Sequence, residues 1–456
     1  MRNRKRSHQH NLLFAILGIV AFASWMVLAG GPSSGSRALT GPRLVAIQPL
    51  PEMARSGPMC QTQPASASAA LLAALMQAPA AQAAGDSDQR NLIRDREPLR
   101  VIKDPYPTYS AVAVDTTNNE LVLQDENLFQ IMAYDRMTNT PPTAAMSEPK
   151  RVIGGHQTNM EFNCALYIDP VNGDIYSVNN DTLNTLTIFS REVRGDMPPT
   201  RQLETPHGTY GIAVDEGAKE MFLTVQHASS IVVYNKYAQG EDKPLRTLVG
   251  NKTGLADPHG IALDTKSGLI FVANYGNYAA YSEGRENSGE GGTGGEGRVL
   301  GSGKFFPPSI TIYPIKATGD VAPLRTIAGP KTQLNWPAHM YVDEDTGLLY
   351  IANDGGDSVL VFKVTDGGDV APTRALKGPR SGIKNPTGVS IDKKHNELIV
   401  ANMGNHQATV YPLNATGDVP PSRVIRAAPP DQPALQIGNP GAVAYDTKRN
   451  EILVPN

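Results

Sequence analysis

The chain has 456 residues, 41 basic against 44 acidic side chains for a net charge of −3, and two cysteines. The balanced charge, with no Lys/Arg block beyond the first six residues, argues against a nucleic-acid partner. Cys60 and Cys164 do not make a disulfide framework, and 43 Gly with 36 Pro spread along the chain predict many short strands and turns.

Arg2, Arg4, Lys5 and Arg6 precede an apolar run from Leu12 to Gly30 that contains Ser24 as its one polar residue. Such a run reaches about 28 Å as a helix, close to the hydrocarbon thickness of a bilayer. Two readings stay open for residues 1–30. They form an uncleaved transmembrane anchor, or a signal peptide cleaved after Val27-Leu28-Ala29. Either one exports the chain, because basic residues hold the short N-terminal side in the cytoplasm. The expected location is extracytoplasmic, periplasmic or cell-surface. Residues 31–94 read as an Ala/Pro/Ser-rich spacer, largely disordered.

From residue 95 the chain repeats itself. Asp115, Asp169, Asp215, Asp264, Asp343, Asp392 and Asp446 each close a short apolar strand. Ten residues after each stands the end of a second strand: Asp125, Asn179, Val225, Asn274, Asn353, Asn402 and Asn456. A third strand ends in an aromatic at Tyr134, Phe189, Tyr234, Tyr313, Phe362 and Tyr411. Pro-x-Arg opens a fourth strand at Arg151, Arg201, Arg246, Arg325, Arg374 and Arg423. A further copy, Pro98/Arg100, lies ahead of the first Asp. Four short strands per unit describe a propeller blade, and blades must stack because one cannot bury both faces alone.

The expected fold is all-β, a seven-bladed β-propeller over 95–456, with six blades as the alternative. Residues 98–102 supply the outer strand of the last blade and so remove an exposed sheet edge. Its third strand has Arg90–Ile93 as a candidate. The stretches PHGIALDTKSGLIFVANYGN at 258–277 and PTGVSIDKKHNELIVANMGN at 386–405 resemble NHL-type and YVTN-type β-propeller repeats. The resemblance implies the fold, and it implies a range of functions: lyases, lactonases, binding modules and scaffolds.

In such a ring the residues five and four places before each Asp surround one mouth of the central channel. Small residues dominate there, and His339 and His259 depart from that rule on neighbouring blades, with His207 in the loop leading into blade three. His259 and His339 are the candidate catalytic pair. His207, Tyr210, Cys164, Asn274, Asn353 and Asn402 are candidate ligand-binding residues. His259, His339 and His207 are the candidate ligands of a divalent metal. Packing and hydration of a polar channel account for the same residues without chemistry. A Gly-rich insertion at 275–307, with Tyr275, Tyr278 and Tyr281 ahead of a mobile Gly/Ser/Glu tract, emerges on the same face. The recurring Asp and Pro-x-Arg positions read as structural, with the Arg facing the Asp of an inner turn.

Three functions follow. The chain is a membrane-tethered binding module whose mouth face takes a protein, peptide or envelope polymer. Or it is a lyase- or lactonase-like enzyme using His259 and His339. Or it is a structural scaffold. An enzyme requires a closed cluster of His with a carboxylate or metal; a binding module requires an exposed aromatic or apolar patch on one face.

Overall fold

The computed structural model describes Arg100, Ile102, residues 109–281 and residues 298–454, apart from 127, 142, 181, 406 and 426–440. The expected signal segment, the spacer, the strand candidate Arg90–Ile93 and Asn456 lie outside the described residues. Among the described residues no helix is long and apolar enough to cross a membrane.

The described chain is an all-β propeller with six four-stranded antiparallel blades, each a simple meander. Their innermost strands are Tyr109–Asp115, Asn163–Ile168, Thr209–Asp215, Pro258–Asp264, Pro337–Asp343 and Pro386–Asp392. A two-stranded sheet, Ala444–Asp446 with Glu451–Leu453, follows blade six, and its first strand touches the innermost strands of both blade six and blade one. The Pro-x-Arg arginines are the first residues of the fourth strands in all six blades.

Hydrophobic packing is between blades rather than within them. The second strands of blades one and three are buried along their whole length. Each cluster joins two neighbours: Tyr176, Leu186 and Leu203 of blade two meet Met221, Leu223 and Val232 of blade three. Blades four and five share Phe271, Ile310, Leu349 and Phe362 in the same way. The third-strand aromatics Tyr134, Phe189, Tyr234, Tyr313, Phe362 and Tyr411 all lie buried in these interfaces. Each is worth roughly 1.5–3 kcal/mol of burial. Near the axis the strands crowd together. A Cβ on Gly211 would stand 2.5 Å from the His259 carbonyl, and one on Gly260 2.2 Å from that of Ala338. Small residues line the inner strands for this reason.

Two repeated markers have structural roles, one as expected and one not. The strand-ending Asp accepts backbone N–H groups of its own turn, as at Asp115 with Thr117 and Asn118, and at Asp446 with Lys448 and Arg449. The Pro-x-Arg arginine does not face that Asp. It pairs instead with the Glu opening the second strand of its own blade, Arg151 with Glu120, Arg246 with Glu220 and Arg423 with Glu397. Where no Glu stands there, Arg325 and Arg374 donate to the Val364 and Leu413 carbonyls of the next blade. The Asp carboxylates take cations from the following blade, Lys236 on Asp169 and Arg136 on Asp446.

The insertion after the second strand of blade four opens as an antiparallel hairpin, Asn277–Tyr281 with Arg298–Phe305. Its tip, 282–297, including most of the tract expected to be mobile, lies outside the described residues.

Candidate functional site

The mouth of the channel is built from two loops per blade, the one preceding the innermost strand and the one after the second strand. A single device positions both. In blade four the side-chain oxygen of Asn274 accepts the Ala256 N–H at 3.0 Å, and the Tyr275 N–H returns to the Asp257 carbonyl at 3.2 Å. Blades two, five and six repeat the pair through Asn179, Asn353 and Asn402. The Asn amide N–H binds the third strand, at Thr311, Ser358 and Thr409 for Asn274, Asn353 and Asn402. All three are fully buried. Their amides are consumed by the fold, so the expected ligand-binding role of Asn274, Asn353 and Asn402 gives way to a structural one.

The clamp holds the residue before the inner strand in the left-handed region: Phe162, Asp257, Trp336 and Asn385 have φ between 42° and 53°. Asp257 and Trp336 thereby come to the mouth, and neither stood out in the sequence. The available signal was their place directly before Pro258 and Pro337, the prolines that open two inner strands.

His259 is enclosed. The Thr209 carbonyl and Gln226 Oε1 both accept from Asn180 Nδ2, at 2.9 and 3.0 Å. A carbonyl accepts only, so Asn180 must present its NH2 and Gln226 its oxygen to that contact. Gln226 then turns its own NH2 to His259 Nε2 at 2.5 Å. The His259 proton accordingly sits on Nδ1, 3.1 Å from the Asp257 carbonyl oxygen that accepts it. Both ring nitrogens are occupied. Burial pushes its pKa down to about 4, and the nearby His339 and His227 push the same way. His259 is therefore a neutral, packed imidazole at pH 7.

His339 differs. Its Nδ1 stands 2.7 Å from the Thr387 carbonyl, which fixes the Nδ1–H tautomer. The residue is exposed, and close packing around it depresses its pKa. His207 pairs with Asn184 Oδ1 at 3.1 Å and lies with its ring centroid 4.9 Å from that of His227, a partner the sequence did not point to. Among the described residues no three of His, Cys, Asp and Glu come together as metal ligands. The expected metal set His259, His339 and His207 is not assembled.

Cys164 directs its thiol at the Tyr210 carbonyl, 3.3 Å away, and burial raises its pKa, with Glu126 adding to the effect. It is an unreactive thiol. Tyr210 lies beside His259, centroids 4.7 Å apart, and burial raises its phenol pKa as well, aided by Cys164, Glu126 and Asp257. The His259 ring stacks on Tyr275 at 3.7 Å and 11°, and Tyr275 on Trp336 at 5.6 Å and 11°. This row ends in the open: Trp336 is 55% exposed. Phe162, Leu128, Phe306 and Met403 on loops, and Phe305 at the end of the hairpin, are further exposed apolar side chains of the same face.

Residues 308–423, from blade four to the start of the last strand of blade six, match the family model described as lactonase, 7-bladed beta-propeller. No curated protein matches the chain. Among solved structures, hydrazine synthase of Kuenenia stuttgartiensis is similar at 10% identity, covering 79% of this chain and 98% of its own, with a TM-score of 0.52. A functionally unknown protein from Desulfotomaculum acetoxidans covers 78% of this chain and 89% of its own at 11% identity, with a TM-score of 0.47. At such identities the likeness to hydrazine synthase speaks for the propeller fold alone.

Proposed function

We propose that this chain is an exported, membrane-tethered propeller that binds a partner through its channel-mouth face. The observation that carries this reading is the aromatic row of His259, Tyr275 and Trp336, rooted in the packed mouth and open at Trp336. Supporting it, the imidazole expected to do chemistry has both nitrogens occupied. The tether is the apolar run Leu12–Gly30, and the ring has seven blades, with residues 98–102 as the outer strand of the last. Arg100 pairs with Glu451, and Ile102 packs in one cluster with Leu453. NHL- and YVTN-type repeats remain the proposed kinship.

A second reading, a lactonase-like hydrolase, is favoured by one observation: the tautomer of His339 is fixed by Thr387, which leaves Nε2 as its accepting nitrogen. The experiment compares two charge-bearing variants of the full chain against a solubilised envelope fraction. Phe162→Glu/Trp336→Glu alters the mouth face, and Val171→Glu/Leu324→Glu the opposite one. Binding lost in the first and kept in the second is expected. The reverse pattern, or equal binding by both, removes the mouth face as the docking surface.

A further inference from the structure

Among the described residues, two part-buried carboxylates at the mouth, Asp257 and Asp354, form no ion pair with a Lys or Arg. Asp257 stands 3.5 Å from the neutral His259, and Asp354 accepts an uncharged N–H from Asn385 at 3.1 Å. Lys384, the basic side chain beside them, is held by Asp357 at 2.7 Å. Burial raises the pKa of Asp257 and Asp354, as expected for carboxylates partly stripped of water, with Lys384 opposing the shift at Asp354. Beside these carboxylates the exposed face of Trp336 offers a flat π surface, held rigid by Tyr275 behind it.

We propose that the mouth takes the guanidinium of an arginine carried on a partly apolar peptide segment. This rests on the mouth-face binding reading and names its ligand. A guanidinium is planar, stacks on an indole, and donates in a fork to carboxylates; an ammonium has the charge without the plane. A neutral ligand would leave the carboxylates uncompensated. The exposed Phe162, Leu128, Phe305 and Phe306 on the same face match apolar residues flanking the arginine, which favours a peptide over a free small cation.

The chain contains two tryptophans, Trp25 and Trp336, so the full-length Trp25→Phe variant reports on Trp336 alone. Its emission is followed against the peptide Leu-Arg-Phe, the same peptide with citrulline or glutamate in place of arginine, and free arginine. A saturable shift with the arginine peptide is expected, weakened at least about tenfold by citrulline, by free arginine, and by Asp257→Asn/Asp354→Asn in a variant whose thermal melt stays cooperative. Equal binding of the citrulline or glutamate peptide overturns the cationic assignment and leaves the docking face standing. Free arginine binding as tightly overturns the peptide part. No response to any of the four overturns the arginine site, and the face-specific variants then decide the broader reading independently.

Discussion

Gln226 donates its side-chain N–H to Nε2 of His259 across 2.5 Å, and this contact decides what the histidine can do. A general base or metal ligand needs a free lone pair at the reacting nitrogen. At His259 that lone pair already has a donor, and the other nitrogen gives its proton to the Asp257 carbonyl. In Gln226→Glu the same position becomes an acceptor, which draws a proton onto Nε2. The His259 pKa is expected to rise from about 4 by roughly 1–3 units. Titration of its ring resonances by NMR measures this; an unchanged midpoint would contradict the hydrogen-bond chain from Thr209 through Asn180 and Gln226.

The two ionisable groups at this point act on stability with opposite signs. Folding lowers the His259 pKa to about 4, so its contribution is lost as pH falls from the unfolded value toward 4. Folding raises the Asp257 pKa to about 6, so its contribution is present at low pH and lost as pH rises through 6. Each amounts to a few kcal/mol at most, about 1.4 kcal/mol per unit, and between pH 4 and 6 they largely cancel. Asp257→Asn removes one side of the balance. Its melting temperature is expected to fall more steeply than the parent's between pH 6.5 and 4.5; parallel curves would show that Asp257 titrates normally.

Asn274→Ala strips the buried Ala256 N–H and the Thr311 hydroxyl of their partner at once. The expected loss is roughly 2–3 kcal/mol in denaturant unfolding. A change below about 0.5 kcal/mol would place Asn274 among ordinary surface substitutions.

The repeat was legible because each of its markers has a packing duty in every blade. The Asp caps a turn, the third-strand aromatic fills an interface, and the Arg opens a strand. The amide clamp shows in the sequence as a recurring Asn that reads equally as a ligand group, since spacing alone does not tell a buried amide from one facing a channel. A further recurring device joins each blade to the one before it. Gly195, Gly319, Gly368 and Gly417 pair with the outer strand of the preceding blade, and the Asp after each binds that blade's next loop, as Asp320 binds the Lys252 N–H. The site was harder to read than the fold. Gln226, Asp257 and Trp336 matter through a hydrogen-bond chain and a ring stack that join different blades, and no local pattern in the sequence records those contacts.

Arg100 and Glu451 repeat, across the two ends of the folded chain, the pairing made within single blades by Arg246 and Glu220. Both side chains retain some solvent contact, 21% and 16%, so a double-mutant cycle with alanine should give a measurable coupling of about 0.2–1 kcal/mol. Zero coupling would detach residues 98–102 from the last blade and favour the six-bladed alternative.

The measurement that bears most directly on binding against metal-dependent chemistry is the metal content of the purified full chain beside His259→Ala/His339→Ala. If the mouth is a docking surface with His259 as a packed, neutral residue, both proteins carry far less than one equivalent of any divalent metal. One equivalent in the parent that disappears in the double variant would contradict the binding reading and place a metal centre at His259 and His339.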